Sequence, residues 1–188
     1  MLDRLGHATV TTSDPEAIAG ADGLVLPGVG AFDRCMSNFA ERGLVEPLTK
    51  LVCEREVPVL GICVGMQLFA RGSEEGESPG LGWVQADVVR FDVPGLLVPH
   101  MGWNDVKATP NGTALFSGEE ERFYFVHSFH LRCDDEGDVA AWAHHGVDFP
   151  AAITRGNIMG VQFHPEKSHR FGLALLDRFA NVASRCAD

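Results

Sequence analysis

Cys63 stands between Gly61 and Gly65 at the end of the apolar run Val57-Pro58-Val59-Leu60-Gly61-Ile62. A strand that drives into a sharp turn before a helix carries such a residue at its tip, a nucleophile elbow with sulfur in place of a hydroxyl. The two glycines let neighbouring backbone approach closely, and the helix start that follows turns its positive end toward the thiol. A free thiol, with a pKa of about 8.5, is scarcely ionised at neutral pH, so a reactive one needs this kind of setting. A small core residue closing a buried strand would look the same, because free cysteine is among the most buried residue types.

A cysteine nucleophile requires a base, and the base requires an orienting group. Of eight histidines, His164 fits best. It follows the apolar run Ile158 to Phe163, and Pro165 holds it extended. In an extended segment His164 and Glu166 face the same way, so the carboxylate can lie beside the imidazole. A third feature is Pro27-Gly28-Val29-Gly30, directly after the apolar run Leu24-Val25-Leu26. Two glycines so spaced allow backbone N–H groups to turn toward a developing negative charge, although a plain loop has the same composition. All three features fall at strand ends, where active sites of open parallel sheets gather.

The elements that must position them alternate along the first half of the chain. His7 to Thr12 reads as a short strand, and Ser13-Asp14-Pro15-Glu16 as a helix start with Pro15 in the first helical position. Asp22 to Leu26 is a second strand. Helical spacing follows across Phe32, Met36, Phe39 and Leu44, and again across Leu48, Leu51 and Val52. Val57 to Ile62 is too continuously apolar to have a solvent face, as in a central parallel strand. Strands are expected over Trp83 to Phe91, Arg122 to Leu131, Val139 to Ala143, Ala151 to Arg155 and Ile158 to Phe163. Ser168 to Arg185 is expected to be an amphipathic helix, with Phe171, Leu175, Leu176 and Phe179 on one face. The 188 residues read as one α/β domain without repeats or linkers.

Composition narrows the function classes. A net charge of −11 and the absence of a basic run argue against nucleic-acid binding. No apolar stretch reaches membrane-spanning length, and residues 1–7 lack an export signal, so a soluble cytoplasmic protein is expected. Five cysteines without a C-x-x-C pair suggest reduced thiols rather than a disulfide framework. No metal site is indicated: His144-His145 and His127-x-x-His130 have no third ligand at useful spacing.

Gly61-Ile62-Cys63-Val64-Gly65-Met66-Gln67 together with Gln162-Phe163-His164-Pro165-Glu166 resembles the class I, triad-type glutamine amidotransferases. Leu26 to Phe32, Val98-Pro99-His100-Met101-Gly102-Trp103-Asn104, Phe125 to Phe129 and His164 to Ser168 narrow the resemblance to glutaminase subunits of imidazole glycerol phosphate synthase. It runs from Leu2 to about Phe179. The resemblance implies a three-layer, flavodoxin-like α/β fold, with a mostly parallel central sheet and added antiparallel strands. It implies a Cys63, His164 and Glu166 triad, and an oxyanion site formed by backbone of Gly28, Val29, Gly30 and Val64. Gln67 and Glu75 would meet the amino-acid end of glutamine. No cofactor is implied. Ammonia would pass to a (β/α)8-barrel cyclase partner in a heterodimer serving histidine biosynthesis, with Trp103, Asn104, Phe129 and Lys167 at the interface. Trp103 fits a docking anchor or a core tryptophan equally well.

The resemblance also marks departures. Val64 stands where leucine is usual. The chain starts inside what would be the family's first helix, so a strand, a glycine-rich loop and most of that helix, about two dozen residues, are expected before it. A start assigned too far downstream or a truncation would account for this, and either leaves a sheet neighbour with unpaired backbone groups. Two other readings remain open: a catalytically impaired structural or regulatory subunit, and a class I amidotransferase with another acceptor.

Overall fold

The computed structural model describes residues 1–118 and 121–186. Asp14 opens helix α1 (Pro15–Ala19) by accepting the Glu16 N–H at 3.1 Å, with Pro15 at the first position as the sequence suggests. Strand β1 (Leu24–Gly28) leads into α2 (Phe32–Glu41), which buries Phe32 and Met36. Helix α3 (Val45–Thr49) continues as a π-helical turn over Lys50–Glu54 that buries Leu51 and Val52. Strand β2 (Val59–Cys63) is buried along its whole length, as its unbroken apolar run requires.

Beyond β2 come the single helical turn α4 (Val64–Gln67) and seven strands: β3 (Ala86–Arg90), β4 (His100–Ala108), β5 (Glu121–His127), β6 (Phe129–Cys133), β7 (Val139–His145), β8 (Val147–Arg155) and β9 (Ile158–Val161). Helix α5 (His169–Cys186) closes the chain. It buries Leu175, Leu176 and Phe179, with Phe171 partly covered. Among the described residues no helix is long and apolar enough to cross a membrane.

Seven strands form one mixed sheet in the order β1-β2-β9-β8-β7-β4-β5. The first three are parallel, and the rest are added antiparallel. Strands β3 and β6 make a separate antiparallel ribbon. Among the described residues strand β1 lies at the sheet edge with β2 as its one partner.

Four sequence expectations need correction. His7–Thr12 is not a strand: Ala8 to Thr12 are exposed, and β-branched composition does not make a strand without a neighbour to pack on. The expected strand Arg122–Leu131 breaks at Ser128, and its halves join different sheets. Strand β8 begins at Val147, earlier than Ala151. Strand β4 has no counterpart among the strands expected from the sequence.

Parallel register positions the chemistry. Gly28 of β1 pairs with Cys63 of β2, and Ile62 pairs with Val161 of β9. The glycine turn, the cysteine and the segment leading to His164 therefore end at one level of the sheet.

Candidate active site

The elbow depends on glycine. Cys63 sits at φ 55°, ψ −115°, a strained setting for an L-residue that surrounding packing must hold. A Cβ on Gly65 would run into the Leu26 carbonyl, and one on Gly28 into the Gly65 amide. One on Gly61 would lie 2.7 Å from the Met66 backbone. Strand β1 thus packs directly on α4, which makes the turn at Cys63 tight.

Cys63 and His164 line the same cavity of about 340 Å³, with Gly30, Val64, Gln67 and Glu75. That volume is at the small end for ligand sites and suits a small metabolite. His164 is held at both ends of its backbone: its N–H donates to the Tyr124 carbonyl at 2.9 Å, and its carbonyl accepts the Ser168 hydroxyl at 2.6 Å. The ring Nδ1 lies 2.7 Å from Glu166 Oε1, so Nδ1 carries hydrogen and Nε2 is left basic. That Nε2 is buried and has no hydrogen-bond partner. An orphaned basic nitrogen in a cavity shared with a thiol is poised to take a proton from it.

The thiol itself is not activated by its surroundings. Burial pushes its pKa up to about 11. The Val64 N–H pointed at the sulfur and the Lys167 ammonium act downward, while Glu166 acts upward. Desolvation outweighs the rest and favours the neutral thiol, so ionising the sulfur calls for a base.

Residue chemistry alone does not single out Gln162, although an amide near the end of the run Ile158 to Phe163 is a sequence signal, and the structure buries it fully. Its Nε2 lies 3.7 Å from the Cys63 sulfur, and its Oε1 accepts from Gln67 Nε2 at 3.0 Å. Gln67 lines the cavity and also donates to the Phe129 carbonyl at 3.1 Å. Glu75 lines the cavity too, with Oε2 accepting the Phe32 N–H at the start of α2. Asp33 fastens the loop bearing Glu75 by accepting the Glu77 and Ser78 N–H groups, which hold its carboxyl below the usual range.

In the glycine turn, the Val29 carbonyl accepts weakly from Cys35 Sγ at 3.7 Å and so faces α2. Val29 is 79% exposed, and Gly30 adopts φ 100°. At the mouth, Lys167 lies over the Tyr124 ring and Trp103 stacks on His169. Trp103 is 41% exposed, so it is a surface residue rather than a core one. Asn104 is engaged inside the chain, donating to the His144 carbonyl at 2.8 Å and to His100 Nε2 at 3.1 Å. Phe129 contributes its carbonyl more than its ring. Among the described residues no group of three or more His, Cys, Asp or Glu could hold a metal ion.

The family described as glutamine amidotransferase class-I matches residues 6–182. A Bdellovibrio bacteriovorus protein named imidazole glycerol phosphate synthase subunit HisH is 48% identical, covering 97% of this chain and 92% of that protein. The subunit HisH 2 proteins of Methanococcus maripaludis and Pseudomonas aeruginosa are 43% and 44% identical, each over 97% of this chain. A solved glutamine amidotransferase superposes with TM-score 0.77 at 25% identity, covering 97% of this chain and 90% of its own. A Thermoplasma acidophilum protein described as belonging to a GMP synthase shares the fold with TM-score 0.70. The chain belongs to the class-I glutamine amidotransferases and, among them, to the family of imidazole glycerol phosphate synthase HisH subunits.

Proposed function

We propose that the cavity hydrolyses glutamine to glutamate and ammonia, and that the ammonia passes to a (β/α)8-barrel cyclase for imidazole glycerol phosphate synthesis in histidine biosynthesis. The observation that carries this reading is the shared cavity of Cys63 and a His164 whose buried Nε2 has no other partner. His164 Nε2 removes the thiol proton as sulfur attacks the glutamine side-chain carbon. The C–S bond forms, and the carbonyl electron pair moves onto oxygen. The Val64 N–H and the amides of the Gly28-Val29-Gly30 turn supply oxyanion donors, each worth about 2.7–4 kcal/mol. Collapse breaks the C–N bond, and the His164 proton leaves with ammonia. Water then attacks the thioester with His164 again as base, giving glutamate and the free thiol. Glu166 stabilises the charged imidazolium through Nδ1. Gln67 and the Glu75 carboxylate serve the substrate's amino-acid end, where an α-ammonium calls for negative charge.

Trp103 and Lys167, exposed beside the mouth, fit the rim of a cyclase interface. The Gly28-Val29-Gly30 turn fits a control element that completes the oxyanion site once the partner is docked. Glutamate release should therefore rise at least about a hundredfold when the barrel cyclase and its ribonucleotide substrate are added, the gain expected of one added oxyanion donor at the low end. Full turnover by the free chain would reject the coupling. No turnover in either state would reject the glutaminase.

A further inference from the structure

Along the wall of the active-site cavity, which His127 and Phe129 help to line, runs a set of largely buried polar groups whose hydrogen-bond direction is fixed by their partners. His127 Nδ1 lies 2.7 Å from the Phe129 carbonyl, which can only accept, so Nδ1 carries the hydrogen. His127 Nε2 must then accept, and it lies 3.0 Å from His100 Nδ1. His100 Nε2 must accept in turn, and Asn104 Nδ2 donates to it at 3.1 Å. The Asn104 amide cannot be reversed, because its Oδ1 accepts the Asp105 N–H and its Nδ2 also donates to the His144 carbonyl. From the other side, the Phe129 carbonyl accepts Gln67 Nε2, whose second hydrogen goes to Gln162 Oε1. Gln162 Nε2 ends the run at the Cys63 sulfur.

We infer that Asn104, His100 and His127 are positioning residues for glutamine hydrolysis: their one-way relay fixes the Phe129 carbonyl, and through it the Gln67 and Gln162 amides beside Cys63. The inference rests on the reading of Cys63 as the glutaminase nucleophile. Aromatic side chains pack around the two histidine rings. His100 and His127 are both 6% exposed, and Phe91 and Phe149 pack on the His127 ring at 5.2 Å. His145 stacks on His100 at 4.4 Å with its Nε2 on the Leu97 carbonyl. Burial, reinforced by neighbouring histidines, brings His100 down to about 4 and His127 to about 3, so both rings stay neutral near pH 7 and the donor order persists. Neither histidine is needed to complete a metal or ion pair.

The test is glutamate release at saturating glutamine and saturating cyclase. His127→Phe keeps the bulk and removes the donor; kcat should fall about tenfold to a hundredfold, the range for a displaced active-site support. His127→Asn keeps a donor near Nδ1 and should recover to within about threefold of wild type. In a Gln162→Leu background, His127→Phe should add less than about twofold, because both act through one chain. Asn104→Asp presents only acceptors to His100, which reverses the donor order and sets an acceptor against the Phe129 carbonyl. It should lower kcat like His127→Phe, and it takes that variant's place in the cycle if His127→Phe does not fold. Losses that multiply with Gln162→Leu, or no loss in Asn104→Asp, would overturn the relay. So would a folded His127→Asn as impaired as His127→Phe. A wild-type chain that releases no glutamate with the cyclase would instead overturn the glutaminase reading itself.

Discussion

Cys63→Ala is expected to cut glutamine hydrolysis by the chain and its cyclase at least about a thousandfold, the scale on which triad nucleophiles act. Two features make the loss so large. In the proposed mechanism the sulfur is the atom that bonds to substrate, and no other cysteine among the described residues lines the cavity. Of those, Cys35 and Cys133 are half-buried and Cys53 is exposed. The fold should survive, since removing one sulfur relieves the strained Cys63 backbone of none of its supports. Synthesis driven by added ammonia should therefore continue in the variant, because the ammonia-using step belongs to the partner. Glutamate release above about a tenth of wild type, a loss of under 1.4 kcal/mol in barrier, would show that Cys63 is not the nucleophile.

Gly65→Ala should damage both stability and activity. A Cβ at this position would occupy the space of the Leu26 carbonyl, and backbone cannot swing aside as a long side chain can. Relief requires β1 and α4 to separate, which also moves Gly28 away from Cys63 and disturbs the oxyanion site. The expected cost is about 1–3 kcal/mol or more, or roughly 2–4 °C in Tm for each kcal/mol at this chain length. Gly20→Ala is the matched comparison: its Cβ would meet nothing within 4 Å, and φ is −98°. That variant should melt within about 0.5 kcal/mol of wild type, as surface changes do. Equal melting of the two variants would mean that the close approach of β1 to α4 does not build the elbow.

The parts of the site that could be read from sequence are those where a local rule coincides with the chemistry. Cys63 between two glycines after an apolar run, and His164-Pro165-Glu166 after another, mark strand ends without reference to the rest of the chain. What could not be read depends on long-range pairing. Strand β4 carries Gly102 and Asn104, residue types depleted in strands, and it forms because β5 and β7 flank it. His7–Thr12 shows the reverse, with strand-like composition and no partner. The break at Ser128 was hidden because Arg122 to Leu131 is continuously strand-like, yet the segment must leave β4 to pair with β3. Gln162 stood in plain sight within the resemblance, but its contact with the Cys63 sulfur requires the β2–β9 register. Asn104 fitted a partner-facing residue by position alone. Its neighbours show that its amide faces inward, toward His100.

If Cys63 attacks glutamine with His164 as base, a glutamyl thioester forms on its sulfur during turnover and can be trapped. The chain and its cyclase would be acid-quenched during glutamine turnover, digested and mapped by mass spectrometry. A glutamyl thioester confined to the peptide bearing Cys63, absent from Cys63→Ala, is the expected result. Turnover with no adduct on Cys63, or an adduct on Cys35 or Cys53 instead, would contradict it.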